Sequence, residues 1–243
     1  MADDTPMTPS SPSLGSTPVD APLADLRRAE TWIFDLDNTL YPASCDLFAQ
    51  VDVRIRDYIA NFLGVEPDEA YRVQKEFFHM HGTSMRGMME NHGMDPDPFL
   101  DYVHDIDVTP VPPSPHLDAA LAALPGRKIV FTNGSVAHAD RVTKRLGVDH
   151  HFEVVFDIVA SGYTPKPAPH VYDRLIDEHA IDPAKTVMVE DIARNLAPAA
   201  ALGMTTVWIR TDSIWGAEGA ADGYVHHVID DLASWLVEIV AGE

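Results

Sequence analysis

Short apolar runs separated by helical patterns constrain the fold of this chain more than any other feature. The runs are rich in Val, Ile and Phe and do not alternate with polar residues, which is typical of strands buried on both faces of a sheet. They begin at Thr31 in TWIFDLDNTLYP and recur at residues 127–133, 153–160, 185–190, 205–210 and 223–229. Strand–helix alternation of this kind predicts an α/β fold with a doubly wound, Rossmann-like parallel sheet.

The segment between Pro42 and Pro115 interrupts this alternation, because it contains no strand pattern. Its apolar residues recur at the spacing of amphipathic helices. The sequence therefore predicts an inserted group of helices, which we expect at residues 46–64, 68–82 and 97–106.

Composition and these patterns together predict the domain organisation. The first residues are rich in Pro, Ser, Thr and Asp and cannot bury enough apolar surface to offset the entropy of ordering them. The Pro-rich residues 109–116 are expected to form a stiff return linker. We therefore expect a disordered tail at 1–22, a core at 23–41 and 116–243, and a helical insertion with its linker at 42–115.

The charge and the cysteine content exclude several classes of function. The formal net charge is −21, which argues against a nucleic-acid polymer or an anionic membrane as partner, since both bind clustered Lys and Arg. No apolar run approaches the roughly 18 residues of a transmembrane helix, and no secretory signal is expected from the first residues. The single cysteine, Cys45, excludes an intramolecular disulfide and fits a reducing cytoplasm, which is the expected location.

Acidic and polar side chains stand at the carboxyl ends of the predicted strands, where doubly wound sheets bind their ligands. Carboxylates crowded into one site repel one another unless a cation lies among them, and oxygen ligands favour Mg²⁺. A lysine adds positive charge, and a polar turn offers a hydroxyl and backbone N–H groups to phosphate oxygens. The residues are Asp35 and Asp37, the turn Thr132–Ser135, Lys166, and Glu190 with Asp191.

These elements, in this order, resemble the four motifs of the haloacid dehalogenase-like (HAD) superfamily of phosphatases. They read DLDNTLY, FTNGS, the lysine of PKPAPHVY, and VEDIARN, and the resemblance covers roughly residues 29–232. The inserted helices after the first motif resemble the α-helical cap of that superfamily. DLDNTLYP, together with HGTSMRG in the insertion, is most similar to the pyrimidine 5′-nucleotidase-like branch.

The resemblance implies a role for each residue that would touch the reacting phosphate. Asp35 is the expected nucleophile, which attacks phosphorus and forms an aspartyl-phosphate. Asp37 is the expected general acid for the leaving group and general base for the hydrolytic water. Thr132, Asn133 and Gly134 are expected to bind phosphate oxygens.

The resemblance also implies how charge is balanced at the site. Lys166 is expected to pair with Asp35 and with the phosphate, which offsets charge in the transition state. The expected cofactor is Mg²⁺, bound by the Asp35 carboxylate, the Asp37 backbone carbonyl and Asp191. Glu190 is expected to bind the ion either directly or through water.

Residues near the insertion carry two interpretations each. Arg86, in a loop expected at residues 81–87, either contacts a polar group of the substrate or lies on the surface. Tyr41, directly after the first motif, either lines the pocket or packs beneath the inserted helices. The remaining histidines lack metal-ligand spacing on any one face and are interpreted as surface or packing residues; they are His92, His104, His150, His151, His226 and His227.

The expected function is that of a Mg²⁺-dependent phosphomonoesterase. Its expected partner is a small-molecule phosphate ester, a pyrimidine nucleoside 5′-monophosphate, and it is expected to act as a monomer or homodimer. The fourth motif reads Glu190-Asp191-Ile192 where GDS is usual, so a sugar-phosphate phosphatase or a phosphomutase is the alternative. A catalytically silent binding protein is a further alternative, although no motif residue is lost.

Overall fold

A parallel β-sheet forms the centre of the computed structural model, which describes residues 26–211 and 213–242. In this part of the chain the sheet has six strands in the order β3-β2-β1-β4-β5-β6, all parallel to their neighbours. The doubly wound α/β fold is therefore confirmed, while the predicted tail at 1–22 lies outside the described residues. The strands are β1 (Thr31–Phe34), β2 (Arg127–Phe131), β3 (Val154–Phe156), β4 (Thr186–Glu190), β5 (Thr205–Ile209) and β6 (His227–Ile229).

The register of the three central strands aligns their carboxyl ends. Phe34 at the end of β1 lies opposite Val130 of β2 and Val189 of β4. The Asp35 N–H continues the ladder by donating to the Val189 carbonyl at 2.9 Å. The strand order also reverses between β1 and β4, which is the point where such sheets bind ligands. The register thus brings Asp35 and Glu190 to the same edge of the sheet.

Alternate residues of the sheet belong to two separate apolar cores. Trp32 and Phe34 pack in one core, whereas Ile33 between them packs in the other. Helices cover both faces, so the strands are buried on both sides. Numbering starts with the four inserted helices, α1 to α4, which are described next. The helices of the core are α5 (Pro115–Ala123), α6 (Val136–Leu146), α7 (Pro169–His179), α8 (Ala197–Ala201), α9 (Ile214–Ala217) and α10 (Leu232–Ala241). Among the described helices, none has both the length and the hydrophobicity needed to cross a membrane.

Four inserted helices lie between β1 and α5, and three of them were expected. Their apolar faces continue the core that contains Phe34. Gly64, in the left-handed conformation, ends the first of them, as glycine commonly does. The helices are α1 (Leu47–Leu63), α2 (Pro67–His81), α3 (Ser84–His92) and α4 (Pro96–Val103).

Helix α3 corrects the expectation of a loop at residues 81–87. Thr83 caps the helix by accepting a hydrogen bond from the Arg86 N–H at 3.1 Å. Gly87 lies inside the helix because α2 packs closely against it: a Cβ at this position would lie 2.4 Å from the Cβ of Phe77. Gly87 therefore indicates close helix packing, and the connection between α2 and α3 is only Gly82 and Thr83.

Candidate active site

Lys166 joins two carboxylates at the edge of the sheet. Its buried ammonium lies 2.7 Å from Asp35 Oδ1 and 2.6 Å from Glu190 Oε2. It also donates to the Phe131 carbonyl at the end of β2, at 2.8 Å. An ammonium has three N–H donors, so all of them are used and the position of the charge is fixed.

The turn after β2 holds the lysine and orients a hydroxyl. The Asn133 side-chain oxygen accepts a hydrogen bond from the Lys166 backbone N–H at 2.9 Å. The Thr132 hydroxyl accepts from the Gly134 N–H, also at 2.9 Å, and its own proton can be donated to a ligand. A Cβ on Gly134 would approach the Thr132 hydroxyl to 3.3 Å, so glycine suits this close turn. Gly134 itself was expected to bind phosphate, but its N–H is used within the turn.

The loop after β1 presents Asp35 and Asp37 to one cavity. Asn38 adopts φ 60°, a left-handed conformation that asparagine tolerates better than most residues. The Thr39 hydroxyl donates to the second oxygen of Asp35, Oδ2, at 3.2 Å. Both carboxylates line the cavity above the sheet edge, as the sequence spacing predicted.

Asp37 lies in a different environment from Asp35. Its Oδ1 accepts a hydrogen bond from the Tyr41 hydroxyl at 2.6 Å and lies 2.8 Å from Nε2 of His138. The His138 ring stacks on that of His104, with ring centroids 4.5 Å apart. His104 Nδ1 in turn lies 3.0 Å from the Ser135 hydroxyl. Asp37 is therefore held by a chain of polar contacts that does not include Lys166.

These environments shift the two aspartate pKa values in opposite directions. Burial, followed by the nearby Glu190 carboxylate, raises the pKa of Asp35 to about 7, although Lys166 acts against the shift. Burial would also raise the pKa of Asp37, but His138 and the Tyr41 hydroxyl lower it below its usual value. Two carboxyl groups whose pKa values differ in this way are suited to different chemical tasks.

Three buried acids form a candidate metal site. Asp35, Glu190 and Asp191 each offer a carboxylate oxygen, and these atoms lie within 4.8 Å of one another. Burial, then repulsion from Glu190 and Asp35, raises the pKa of Asp191 well above its usual value. Lys166 alone thus leaves this cluster with excess negative charge, and a hard divalent cation with oxygen ligands would offset it. The donor set fits Mg²⁺.

The cavity above these residues has a volume of about 430 Å³ and is enclosed partly by the inserted helices. This volume lies within the range of small-molecule pockets. Its floor carries the strand-end residues, and its upper wall is mainly apolar. Trp215 of α9 contacts Phe78 of α2 edge to face, with ring centroids 6.3 Å apart, and so joins the core to the insertion. The apolar wall includes Phe48, Val51, Ile55, Phe78, Met85, Phe99, Leu100, Val103 and Trp215.

Two residues expected to contact substrate lie elsewhere. Arg86 pairs with Glu90 one turn further along α3, at 2.6 Å, and lines a separate cavity of about 410 Å³. This is the usual contact of residues four apart on a helix. Tyr41 does not line the main cavity: it is buried, and its hydroxyl is directed to Asp37. The structure thus places Tyr41 as a partner of Asp37.

His138 was not identified from the sequence, and the interpretation of His104 as a surface or packing residue was wrong, because His104 lines the active-site cavity and stacks on His138. His138 lies in the first turn of α6, where helical position alone gives no sign of a contact with Asp37. His104 follows α4, and its contact with Ser135 spans 31 residues. The signal available was local: His138 follows the N-cap Ser135 by three residues, on the helix turn nearest the strand end.

Solved structures with the same fold include enzymes of two kinds. A HAD phosphatase from Thermococcus onnurineus superimposes with a TM-score of 0.57 at 20% identity, covering 88% of this chain and 99% of that one. L-2-haloacid dehalogenase from Xanthobacter autotrophicus gives a TM-score of 0.55 at 16% identity, covering 87% and 98%. At this identity the likeness concerns the fold alone.

Curated relatives match at somewhat higher identity. Glyceraldehyde 3-phosphate phosphatase of Methanopyrus kandleri is 28% identical over 227 residues, which cover 86% of this chain and 95% of that protein. Phosphate metabolism protein 8 of Saccharomyces cerevisiae is 24% identical over 220 residues, which cover 83% of this chain but only 62% of the yeast protein. The haloacid dehalogenase-like hydrolase family matches residues 30–203. The chain therefore belongs to the haloacid dehalogenase-like hydrolase family.

Proposed function

We propose that this hydrolase is a Mg²⁺-dependent phosphomonoesterase that acts through an aspartyl-phosphate on Asp35. The observation that carries the proposal is the pair of carboxylates in one cavity, Asp35 bound to Lys166 and Asp37 bound to Tyr41 and His138. A halide leaves without a proton, whereas an alkoxide needs one. A second, separately held carboxyl group therefore favours phosphate esters over haloacids.

In the first step the Asp35 carboxylate attacks phosphorus and the bond to the ester oxygen breaks. Asp37 gives its proton to the departing alkoxide. In the second step Asp37 takes a proton from water as the water oxygen attacks the phosphorus of the aspartyl-phosphate, and the Asp35 carboxylate leaves. Phosphate is released and both residues return to their starting forms. General acid–base catalysis of this type is typically worth about 10²–10⁴-fold.

Asp37 has to be protonated when the leaving group departs and ionised when water attacks, and the substrate-bound and free states of the enzyme favour these two forms in turn. Its lowered pKa favours the ionised form in the free enzyme. A bound phosphate dianion next to it disfavours that charge and raises its pKa, which loads the proton needed by the leaving group. His138, 2.8 Å away, is placed to pass that proton to Asp37.

The rest of the site binds and orients the phosphate. The Thr132 hydroxyl can donate to the phosphoryl oxygens, and the Lys166 ammonium, whose donors are used by Asp35, Glu190 and the Phe131 carbonyl, supplies positive charge beside the oxygens on which charge develops. Asn133 keeps Lys166 in place. The carboxylates of Asp35, Asp191 and Glu190 would bind Mg²⁺, with the Asp37 carbonyl as a further proposed ligand. When bound, the ion supplies positive charge that screens the carboxylates from the incoming phosphate.

We further propose a nucleoside 5′-monophosphate, with a pyrimidine base, as the substrate. Aromatic and aliphatic side chains of the cavity wall, such as Phe78, Phe99 and Trp215, suit a flat base better than a small hydrophilic sugar. The inserted helices act as the cap that selects the leaving group. A sugar phosphate is the second candidate, because one relative bears the name of a triose-phosphate phosphatase.

Phosphate release from a metabolite panel tests the proposal. The panel contains pyrimidine and purine nucleoside 5′-monophosphates, glyceraldehyde 3-phosphate and hexose phosphates, with Mg²⁺ and ranked by kcat/KM. We expect the pyrimidine nucleotides to rank first, and Asp35→Asn to be inactive on all substrates. Equal rates for wild type and Asp35→Asn would contradict the phosphatase assignment. A triose or hexose phosphate in first place would instead contradict only the substrate assignment, and isomerisation without release would indicate a mutase.

A further inference from the structure

A second group of metal-ligating side chains lies away from the active-site cavity. Asp118 stands in the first turn of α5, and His150 with His151 lies in the short 3₁₀ turn that follows α6. Nε2 of His151 lies 2.7 Å from Asp118 Oδ1, and Nε2 of His150 lies 3.2 Å from the same oxygen. The two imidazole rings are 4.0 Å apart between centroids. Two ring nitrogens therefore converge on one carboxylate oxygen.

The spacing of these atoms fits a tetrahedral metal site. The three ligand atoms all lie within 4.8 Å of one another. Zinc binds imidazole nitrogen and carboxylate oxygen at about 2.0–2.2 Å, which places neighbouring tetrahedral ligands about 3.3–3.6 Å apart. The separation between His150 Nε2 and Asp118 Oδ1 is 3.2 Å, just below this range. His151 Nε2 and Asp118 Oδ1, now 2.7 Å apart, would move apart by about 0.6–0.9 Å on binding the ion.

Burial and charge also favour a cation here. The His151 side chain is only 11% exposed and so holds its position, whereas that of His150 is 60% exposed and leaves room for water ligands. Within residues 26–211 and 213–242, Asp118 forms no ion pair with a lysine or arginine, and its Oδ1 is contacted by the two imidazoles. The chain as a whole carries a net charge of −21, which attracts cations.

We propose that Asp118, His150 and His151 form a second metal site, which binds a divalent transition ion such as Zn²⁺. Imidazole ligands select zinc, nickel or copper, whereas an all-carboxylate cluster suits Mg²⁺. The two sites therefore differ in the ion they prefer. None of the three residues lines the active-site cavity, so this site does not depend on the proposed phosphatase activity.

The expected effect of the ion is to link two elements next to the active site. The Ser114 N–H, just before α5, donates to the Leu146 carbonyl at the end of α6, at 2.9 Å. A metal held by α5 and by the turn after α6 would strengthen this same junction. α6 begins directly after the Thr132–Ser135 turn. Because the ion binds the folded chain, it raises the free energy of unfolding as its concentration exceeds the dissociation constant.

Calorimetric titration of metal-stripped protein with ZnCl₂ tests the site. Saturating Mg²⁺ is present throughout, so that the acidic cluster is occupied. We expect one Zn²⁺ per chain, and Co²⁺ in its place to give the absorption of a four-coordinate ion. His150→Ala and Asp118→Asn should weaken binding by more than the roughly 10–100-fold that loss of an outer hydrogen-bond partner costs. His116→Ala, an exposed histidine on the same helix, should leave binding unchanged.

Three outcomes would overturn the proposal. The first is Zn²⁺ binding of equal strength in wild type and Asp118→Asn. The second is binding that survives His150→Ala but is lost in Asp191→Asn, because the ion then occupies the active site. The third is that wild type binds no Zn²⁺ at any concentration at which wild type, His116→Ala and His150→Ala remain in solution. Melting temperatures without metal establish that each variant is folded, and His150 is exposed enough for its loss to leave the fold intact.

Discussion

The Lys166 ammonium lies between Asp35 Oδ1 and Glu190 Oε2, 2.7 Å from the first and 2.6 Å from the second, with no side-chain exposure to solvent. One positive charge thus separates two buried carboxylates at the ends of adjacent strands. Removal of one member of such a buried group leaves uncompensated charge, whereas removal of an exposed partner costs little.

Lys166→Met is therefore expected to lower the free energy of unfolding by about 3–5 kcal/mol without Mg²⁺ and to abolish phosphate release. Urea denaturation measures the stability change. Lys185→Met is the matched control, because Lys185 also pairs with an acid, Glu30, but on the surface. It should leave the free energy of unfolding nearly unchanged, because exposed ion pairs contribute little to stability. Equal losses in the two variants would contradict the inferred importance of the buried group.

The raised pKa of Asp35 predicts how stability depends on pH in the absence of metal. Its pKa rises from 3.8 to about 7 on folding, so between these values the folded chain binds more protons than the unfolded chain. Stability of the metal-free protein should therefore fall as pH rises through this window. The raised pKa of Asp191 acts in the same direction, whereas the lowered pKa of Asp37 acts only below its ordinary value of 3.8.

Mg²⁺ should reverse this loss, because it binds the ionised carboxylates. The increase in melting temperature on adding Mg²⁺ is thus expected to be small near pH 5 and larger near pH 8. Scanning fluorimetry across the series measures it. Asp191→Asn should reduce the Mg²⁺-dependent increase at the higher pH. A Mg²⁺ effect that is independent of pH, or unchanged in Asp191→Asn, would show that the ion binds elsewhere.

Tyr41→Phe tests the support of Asp37, because it removes only the hydroxyl that donates to Asp37 Oδ1. We expect a lower kcat on nucleoside monophosphates with little change in KM. The loss should stay below the roughly 10²–10⁴-fold expected for removal of the general acid itself. An aryl phosphate, whose leaving group needs no proton, should be affected less.

His138 is tested by a pair of variants. His138→Ala should reduce kcat on nucleotides, whereas His138→Gln retains an N–H donor near the position of Nε2 and should recover part of the rate. Equal loss on nucleotide and aryl phosphate, without recovery in His138→Gln, would mean that His138 serves packing alone.

Thr132 lines the active-site cavity and Arg86 lines the separate cavity, so we expect a large loss of activity from one substitution and almost none from the other. Thr132→Val keeps the shape of the side chain but removes the hydroxyl at the cavity floor, and should lower kcat/KM by about 10²–10³-fold. Arg86→Ala breaks only a surface pair with Glu90 and should leave kcat/KM nearly unchanged for every substrate. Steady-state kinetics on one nucleotide suffices. A large rise in KM for Arg86→Ala would contradict this prediction and would show that Arg86 contributes to substrate binding.

The sequence predicted those parts of the site that follow from strand ends. Asp35 and Glu190 could be grouped because parallel strands align their carboxyl termini. Lys166 lies in the connection after β3, and the structure brings it between these two carboxylates. His138 and His104 could not be grouped with Asp37, because their contacts depend on how α4 and α6 pack. The sequence gives no register for such helix contacts, unlike the register of a sheet.

In the inserted helices, too, contacts between helices could not be predicted from the sequence. Glycines at 82 and 87 favoured a loop, but of the two only Gly82 ends a helix. It has φ 83°, and a Cβ at this position would lie 3.1 Å from the Lys166 carbonyl oxygen. Gly87 is required by the packing of Phe77, which no local pattern reveals. Likewise, Asp118 approaches His150 and His151 across more than 30 residues of sequence, so their spacing along the chain gave no sign of a cluster.

Direct detection of a phosphoryl group on Asp35 tests the central proposal most sharply. Asp37→Asn protein with Mg²⁺ is mixed with an aryl phosphate, quenched in acid within the first turnover, digested and analysed by mass spectrometry. An aryl leaving group needs no general acid, so the first step proceeds while hydrolysis is slowed. We expect one phosphoryl group on the peptide that carries Asp35, and none when Asp35→Asn is added. Phosphate release without this phosphopeptide, or a phosphoryl group on another residue, would contradict the role of Asp35 as nucleophile.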